Sequence, residues 1–150
     1  MHETYSVELW QTAMPWPLSL AVHTWFVIEK SGVRDRYEVW ATLAKFDGST
    51  VQKNAIAPQL GFRRSFLADP VNPRKRTAAH CCGSVSGGSG SDVEKLYTSI
   101  CQSLVMYPWL QLYKMWPGPN SNTFTAYYIK QYPQLRLELP YNAVGKNWHT

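Results

Sequence analysis

Residues 116–124 read Trp-Pro-Gly-Pro-Asn-Ser-Asn-Thr-Phe. A stiff Pro-Gly-Pro approach is followed by Asn120, Ser121 and Asn122. Phe124, Tyr127, Tyr128 and Tyr132 then share one face at helical spacing. Small polar side chains are thereby set at the start of a helix, where the first backbone N–H groups lack partners and the helix dipole is positive. Two kinds of chemistry suit that place. Asn and Ser are good N-caps, worth about 0.5–2 kcal/mol relative to alanine. A hydroxyl at the same place can also attack a carbonyl, provided that a base takes its proton and the helix N–H groups stabilise the resulting oxyanion.

Other chemistry-bearing residues say less. His80, Cys81 and Cys82 are adjacent, so their side chains diverge, and no C-x-x-C or H-x-x-x-H partner completes a metal site. Neighbouring cysteines rarely meet the geometry of an unstrained bridge, and a count of three leaves one thiol over. A reducing, cytoplasmic compartment is expected. Arg63, Arg64, Arg74, Lys75 and Arg76, with Phe62 and Phe66 nearby, are the residue types that bind single-stranded nucleic acid through phosphate contacts and stacking. As a solvated cationic loop they need no partner at all. A net charge of +5 is too small to indicate nucleic acid by itself. The aromatic run from Tyr107 to Trp116 suits either a pocket for an apolar or acyl group or plain core packing. No cofactor or metal is indicated.

The elements that must position these groups follow from pattern. With 150 residues, 45% of them hydrophobic and 14% aromatic, the chain reads as one domain over 1–150 with a real core. The apolar run from Met14 to Ile28 is interrupted by Pro15, Pro17 and His23 and has no basic flank before it, so neither a secretory leader nor a membrane span is expected. Leu18 to Glu29 predicts a buried strand, "EKSGVRDR" a loop of several residues, and "YEVWATL" a second strand, together an antiparallel hairpin. Patterning then weakens between Phe46 and Gly90. The Gly/Ser run Gly83–Ser91 reads as a linker, and residues 68–90 as a flexible loop. Ser91 and Glu94 form a capping-box pattern for a helix with Val93, Leu96, Tyr97, Ile100, Leu104 and Val105 in one stripe, stopped by Pro108. A second helix ends at Pro133, and Leu135, Leu137 and Leu139 alternate as in a strand. The expected class is α+β, a small antiparallel sheet with two packed helices.

The motif "WPGPNSNTF", with Leu139-Pro140 and Gly145-Lys146 downstream and "VHTWFVIEK" and "RYEVW" upstream, resembles an uncharacterised bacterial family of unknown function. The resemblance spans most of the chain apart from 46–90. More remotely, the order of parts resembles the circularly permuted papain-like domains of the lecithin-retinol-acyltransferase-like group. There a histidine sits on an early strand and a cysteine nucleophile opens a later helix, commonly within Asn-Cys. The resemblance implies a permuted papain-like fold, His23 as base and Ser121, after Asn120, in the nucleophile slot.

Serine in a cysteine slot changes the demand. A thiol can be held as thiolate by a histidine and a helix terminus, whereas a hydroxyl needs a base within about 2.6–3.2 Å, oriented by a third group. Glu38 can serve as that group if the hairpin register brings it beside His23, and Thr42 is an equal neighbour. N–H groups near Asn122 and Thr123, with the amides of Asn120 or Asn122, would form the oxyanion site. The first expectation is an atypical hydrolase or acyltransferase acting on an amide or ester. The alternatives are a catalytically silent domain of the same fold that binds a peptide, lipid or small molecule, and a nucleic-acid-binding accessory protein acting through Arg63–Arg76.

Overall fold

Tyr5, Val7 and Leu9 alternate with Ser6, Glu8 and Trp10, and this alternation decides which face of the sheet becomes the core. The computed structural model describes residues 3–15, 17–41, 49–62 and 75–149. Strands β1 (Thr4–Ala13), β2 (Val22–Lys30), β3 (Val33–Val39), β4 (Val51–Lys53) and β5 (Ala79–Gly88) form one antiparallel sheet in the order β4-β3-β2-β1-β5. Helices α1 (Asp92–Met106) and α2 (Ser121–Ile129) pack on it, giving the α+β class expected from the sequence. Val7, Leu9, Phe26 and Ile28 meet Leu96, Ile100 and Phe124 between sheet and helices.

The central strand β2 is buried on both faces. Thr24 and Phe26 point to the helices, and Thr24 bonds Thr125 while Phe26 packs edge-on against Phe124. His23 and Trp25 point the other way, where residues 57–62 and 76–78 cover the sheet. Trp25 Nε1 donates to Pro58 O at 2.8 Å, and Thr12 Oγ1 bonds Thr77 Oγ1 at 2.6 Å.

Several elements depart from their sequence expectation. The hairpin loop is only Ser31-Gly32, both at positive φ (53° and 78°), so Lys30 pairs with Val33 directly. That two-residue turn matches strand twist, and Arg34 continues β3 by pairing with Glu8 and Glu29 instead of entering a loop. Leu18–Ala21 is a compact turn, not strand, closed by Met14 N–H to Ala21 O at 2.9 Å, because Pro15 and Pro17 remove ladder donors.

The run that reads as a linker is largely β5, paired with β1 from Thr12↔Ala79 to Thr4↔Gly88. Its glycines serve close approach. A Cβ on Gly87 would sit 2.6 Å from Ser91 Oγ and 3.2 Å from Val93 Cβ, at the start of α1. Residues 135–139 form no strand: a 3-10 turn over Pro133–Leu135 ends at Arg136 with φ 54°, and Leu137 is buried without pairing.

In α1, Ser91 Oγ accepts the Glu94 N–H at 3.2 Å, as the capping pattern predicts, while Glu94 Oε2 accepts from Gly90 N–H at 2.6 Å. Val93, Leu96 and Ile100 are buried, but Leu104 and Val105 are 37% and 73% exposed, since the last turn overshoots the core. Leu96→Ala should therefore destabilise the fold by about 2–5 kcal/mol in urea unfolding. Val105→Ala should stay within about 0.5 kcal/mol of the wild type in the same assay.

Candidate functional site

The N-terminus of α2 is built by two asparagines. Asn120 is the N-cap: its Oδ1 accepts the N–H groups of Asn122 (3.0 Å) and Thr123 (3.2 Å), and Thr123 Oγ1 accepts the Asn120 N–H at 3.1 Å. The Asn120 amide then donates to Met115 O (2.9 Å) and Val144 O (3.1 Å). Gly145, at φ 92°, leaves the room for this, since a Cβ there would fall on the Asn120 carboxamide. Asn122 donates to Val22 O and Val144 O, both at 2.9 Å, and accepts from Thr24 Oγ1 at 2.9 Å. Thr123 Oγ1 donates to Gly145 O at 2.8 Å. Asn120, Asn122 and Thr123 thus tie α2 to β2 and to residues 144–145. The N–H groups of Asn122 and Thr123, expected at an oxyanion site, already donate to Asn120.

Ser121 is the first helical residue, not the cap. It is 5% exposed, and neither its hydroxyl nor its N–H bonds another side chain or backbone group among the described residues. It borders a cavity of about 330 Å³. Met14, Leu18, Ala21 and Val22 form one wall; Tyr113, Met115 and Trp116 form the other, with Val144 at the edge. Among the described residues no Asp, Glu, His, Lys or Arg lines it.

His23 and Glu38 do come together: His23 Nε2 lies 2.8 Å from Glu38 Oε2. Arg36 donates to the same oxygen at 2.7 Å, to Ala57 O and Leu60 O, and lies 3.9 Å over the Trp25 ring. Burial pushes the His23 imidazole below the usual histidine range, which outweighs the Glu38 carboxylate beside it. Burial alone would raise Glu38, yet its bonds to His23 and Arg36 hold it below the ordinary carboxylate value. The cluster is therefore an Arg36–Glu38 ion pair with a neutral His23 donating its Nε2–H.

This cluster lies on the face of the sheet away from α2. Successive strand residues point to opposite faces, and Val22 and Thr24, the neighbours of His23, are the ones that meet α2. His23 instead packs on Trp25 and Phe62, at ring-centroid distances of 5.8 and 4.6 Å. The structure joins His23 to Glu38 and groups Asn120 with Ser121, Asn122 and Thr123. It does not bring His23 to Ser121.

Arg63, Arg64, Arg74, Thr42 and Phe66 lie outside the described residues. Lys75 is exposed, Arg76 donates to Gly61 O at 2.7 Å, and Phe62 is taken up by His23 and Trp40. Sequence reasoning missed Thr24, Arg36 and Val144. A lone threonine inside the apolar run "VHTWFVI" was the signal for the first; nothing in the pattern marked Val144, which contributes its carbonyl.

A family described as "Protein of unknown function (DUF3750)" matches residues 4–148. The chain belongs to that family. No curated protein and no solved structure matches it. The DUF3750 description carries no activity, so the functional reading rests on the site itself. None of the helices among the described residues is long and apolar enough to cross a membrane.

The buried His23 has a consequence for stability. In the unfolded chain histidine titrates near ~6.5. Below that pH the unfolded state takes up a proton that the folded His23 excludes, because its pKa is lowered. Stability should fall as pH drops from about 6.5 toward the lower folded value. Melting temperatures recorded across this window should show a slope that is shallower in His23→Gln; an equal slope would mean that His23 is not the group responsible.

Proposed function

We propose that this domain binds a small ligand with an apolar body and one hydrogen-bond-accepting head, such as a medium-chain carboxylate, and does not catalyse a reaction. The observation that carries this reading is Ser121, whose hydroxyl and N–H have no partner among the described residues beside an apolar cavity at a helix N-terminus. A ligand oxygen in the cavity would accept from this hydroxyl, a hydrogen bond worth about 0.5–1.5 kcal/mol net. The positive end of α2 favours an anionic head there. A volume of about 330 Å³ falls at the lower end of the range for small-molecule sites, about 300–1,000 Å³.

The hydrolase or acyltransferase reading uses the same hydroxyl but lacks its base. A serine nucleophile needs a proton acceptor within about 2.6–3.2 Å, whereas His23 turns to Glu38 across the sheet and the cavity lining offers no substitute. A permuted papain-like ancestry agrees with the layout: α2 opens with Asn120-Ser121 against the start of β2, one residue from His23. On this reading the cleft was retained, and the histidine–carboxylate pair became part of a buried polar core.

Titration of ¹⁵N-labelled protein with decanoate tests the proposal. The Ser121 amide resonance should move together with those of Val22, Met115 and Val144. Ser121→Leu, which fills the cavity mouth and removes the hydroxyl, should weaken binding at least about tenfold, equivalent to ~1.4 kcal/mol. Saturable binding that leaves the Ser121 amide unmoved, or that Ser121→Leu does not weaken, would place the ligand elsewhere.

A further inference from the structure

We infer that the loops around this cavity seat the domain on an anionic lipid surface. Three exposed apolar side chains lie beside it: Trp116, 77% exposed, lines the cavity; Leu20, 89%, adjoins the lining residue Ala21; and Tyr141, 92%, lines a neighbouring hollow with Trp116 and Val144. Water-facing side chains of this size, gathered around one opening, mark an interaction site.

The tips are held as one unit. Asn142 Nδ2 donates to Leu20 O at 3.0 Å, joining the β1–β2 turn to the segment carrying Tyr141. Asn120 joins that segment to the loop carrying Trp116, through Val144 O and Met115 O. A rigid set of one aliphatic and two aromatic tips suits the headgroup region, where Trp and Tyr rings are favoured.

Charge selects the occupant. Between Glu8 and Glu29 the chain has no Asp, Glu, Lys or Arg, so the β1–β2 turn is uncharged. Residues 113–120 contribute only Lys114, and 141–146 only Lys146. These segments thus bring two lysines and no acidic residue, on a chain of net charge +5. That complements an anionic leaflet, whereas a second copy would bring the same lysines face to face.

Sedimentation of the full chain with vesicles of phosphatidylcholine, with and without phosphatidylglycerol, tests this. Binding should require phosphatidylglycerol, weaken with added salt, and fall about tenfold in each of Leu20→Ser and Trp116→Ser. Ser121→Leu should bind these vesicles as the wild type does, so that loss of the pocket ligand and loss of membrane docking are read separately. Failure to bind either vesicle would overturn the inference, as would binding unchanged by both rim substitutions. Concentration-dependent dimerisation abolished by those substitutions would overturn it too, by giving the patch to a second copy.

Discussion

The arrangement depends on two buried carboxamides, those of Asn120 and Asn122. A helix N-terminus packed against a sheet carries N–H groups that lack helical partners, and those shielded from water need acceptors within the protein. Asn120 Oδ1 supplies one for two of them, and its amide reaches back to Met115 O and Val144 O. Asn122 holds the strand side through Val22 O and Thr24. With both asparagines occupied in this way, the residue between them is spare. Ser121 borders the cavity with its hydroxyl and N–H unbonded among the described residues.

A second constraint comes from β2. Because this strand is covered on both faces, its polar residues must be satisfied twice over in separate environments. Thr24 is satisfied by Asn122 and Thr125 on the helix side. His23 is satisfied by Glu38 on the other, where Arg36 makes the carboxylate tolerable in a dry setting. The pairing is not complete: Glu38 Oε1, Arg36 Nε and Trp40 Nε1 are buried without hydrogen-bond partners among the described residues. This cluster holds residues 57–62 against the sheet, through the Ala57 and Leu60 carbonyls. It lies on the face of the sheet away from Ser121.

Much of this was legible wherever local chemistry decides structure. Ser91 and Glu94 announced α1, Pro108 its end, and the Asn-Ser-Asn run the start of α2. The sequence left Glu38 and Thr42 as equal candidates beside His23, and the register set by the Ser31-Gly32 turn brings Glu38 to it. What was not legible was the face. A strand buried on both sides shows no polar alternation, so nothing in "VHTWFVI" tells which way His23 points. Composition misled at Gly83–Gly88, where glycine permits helix-on-strand contact that a linker would not need. At residues 135–139 the Leu alternation suggested a strand; Leu137 is buried and Leu135 and Leu139 pack against the core, but the left-handed Arg136 breaks the extended run and no ladder forms. Ser121 itself was noticed for its place at a helix mouth. Only the structure separates it from the cap beside it.

As proposed, the Ser121 hydroxyl acts as a donor to a bound ligand and not as a nucleophile. Intact-mass analysis after exposure to a fluorophosphonate probe tests this role most directly. No adduct on Ser121 is expected, because among the described residues no base lines the cavity to take its proton. A covalent adduct on the wild-type chain that disappears in Ser121→Ala would contradict it and restore a serine-based reaction at this site.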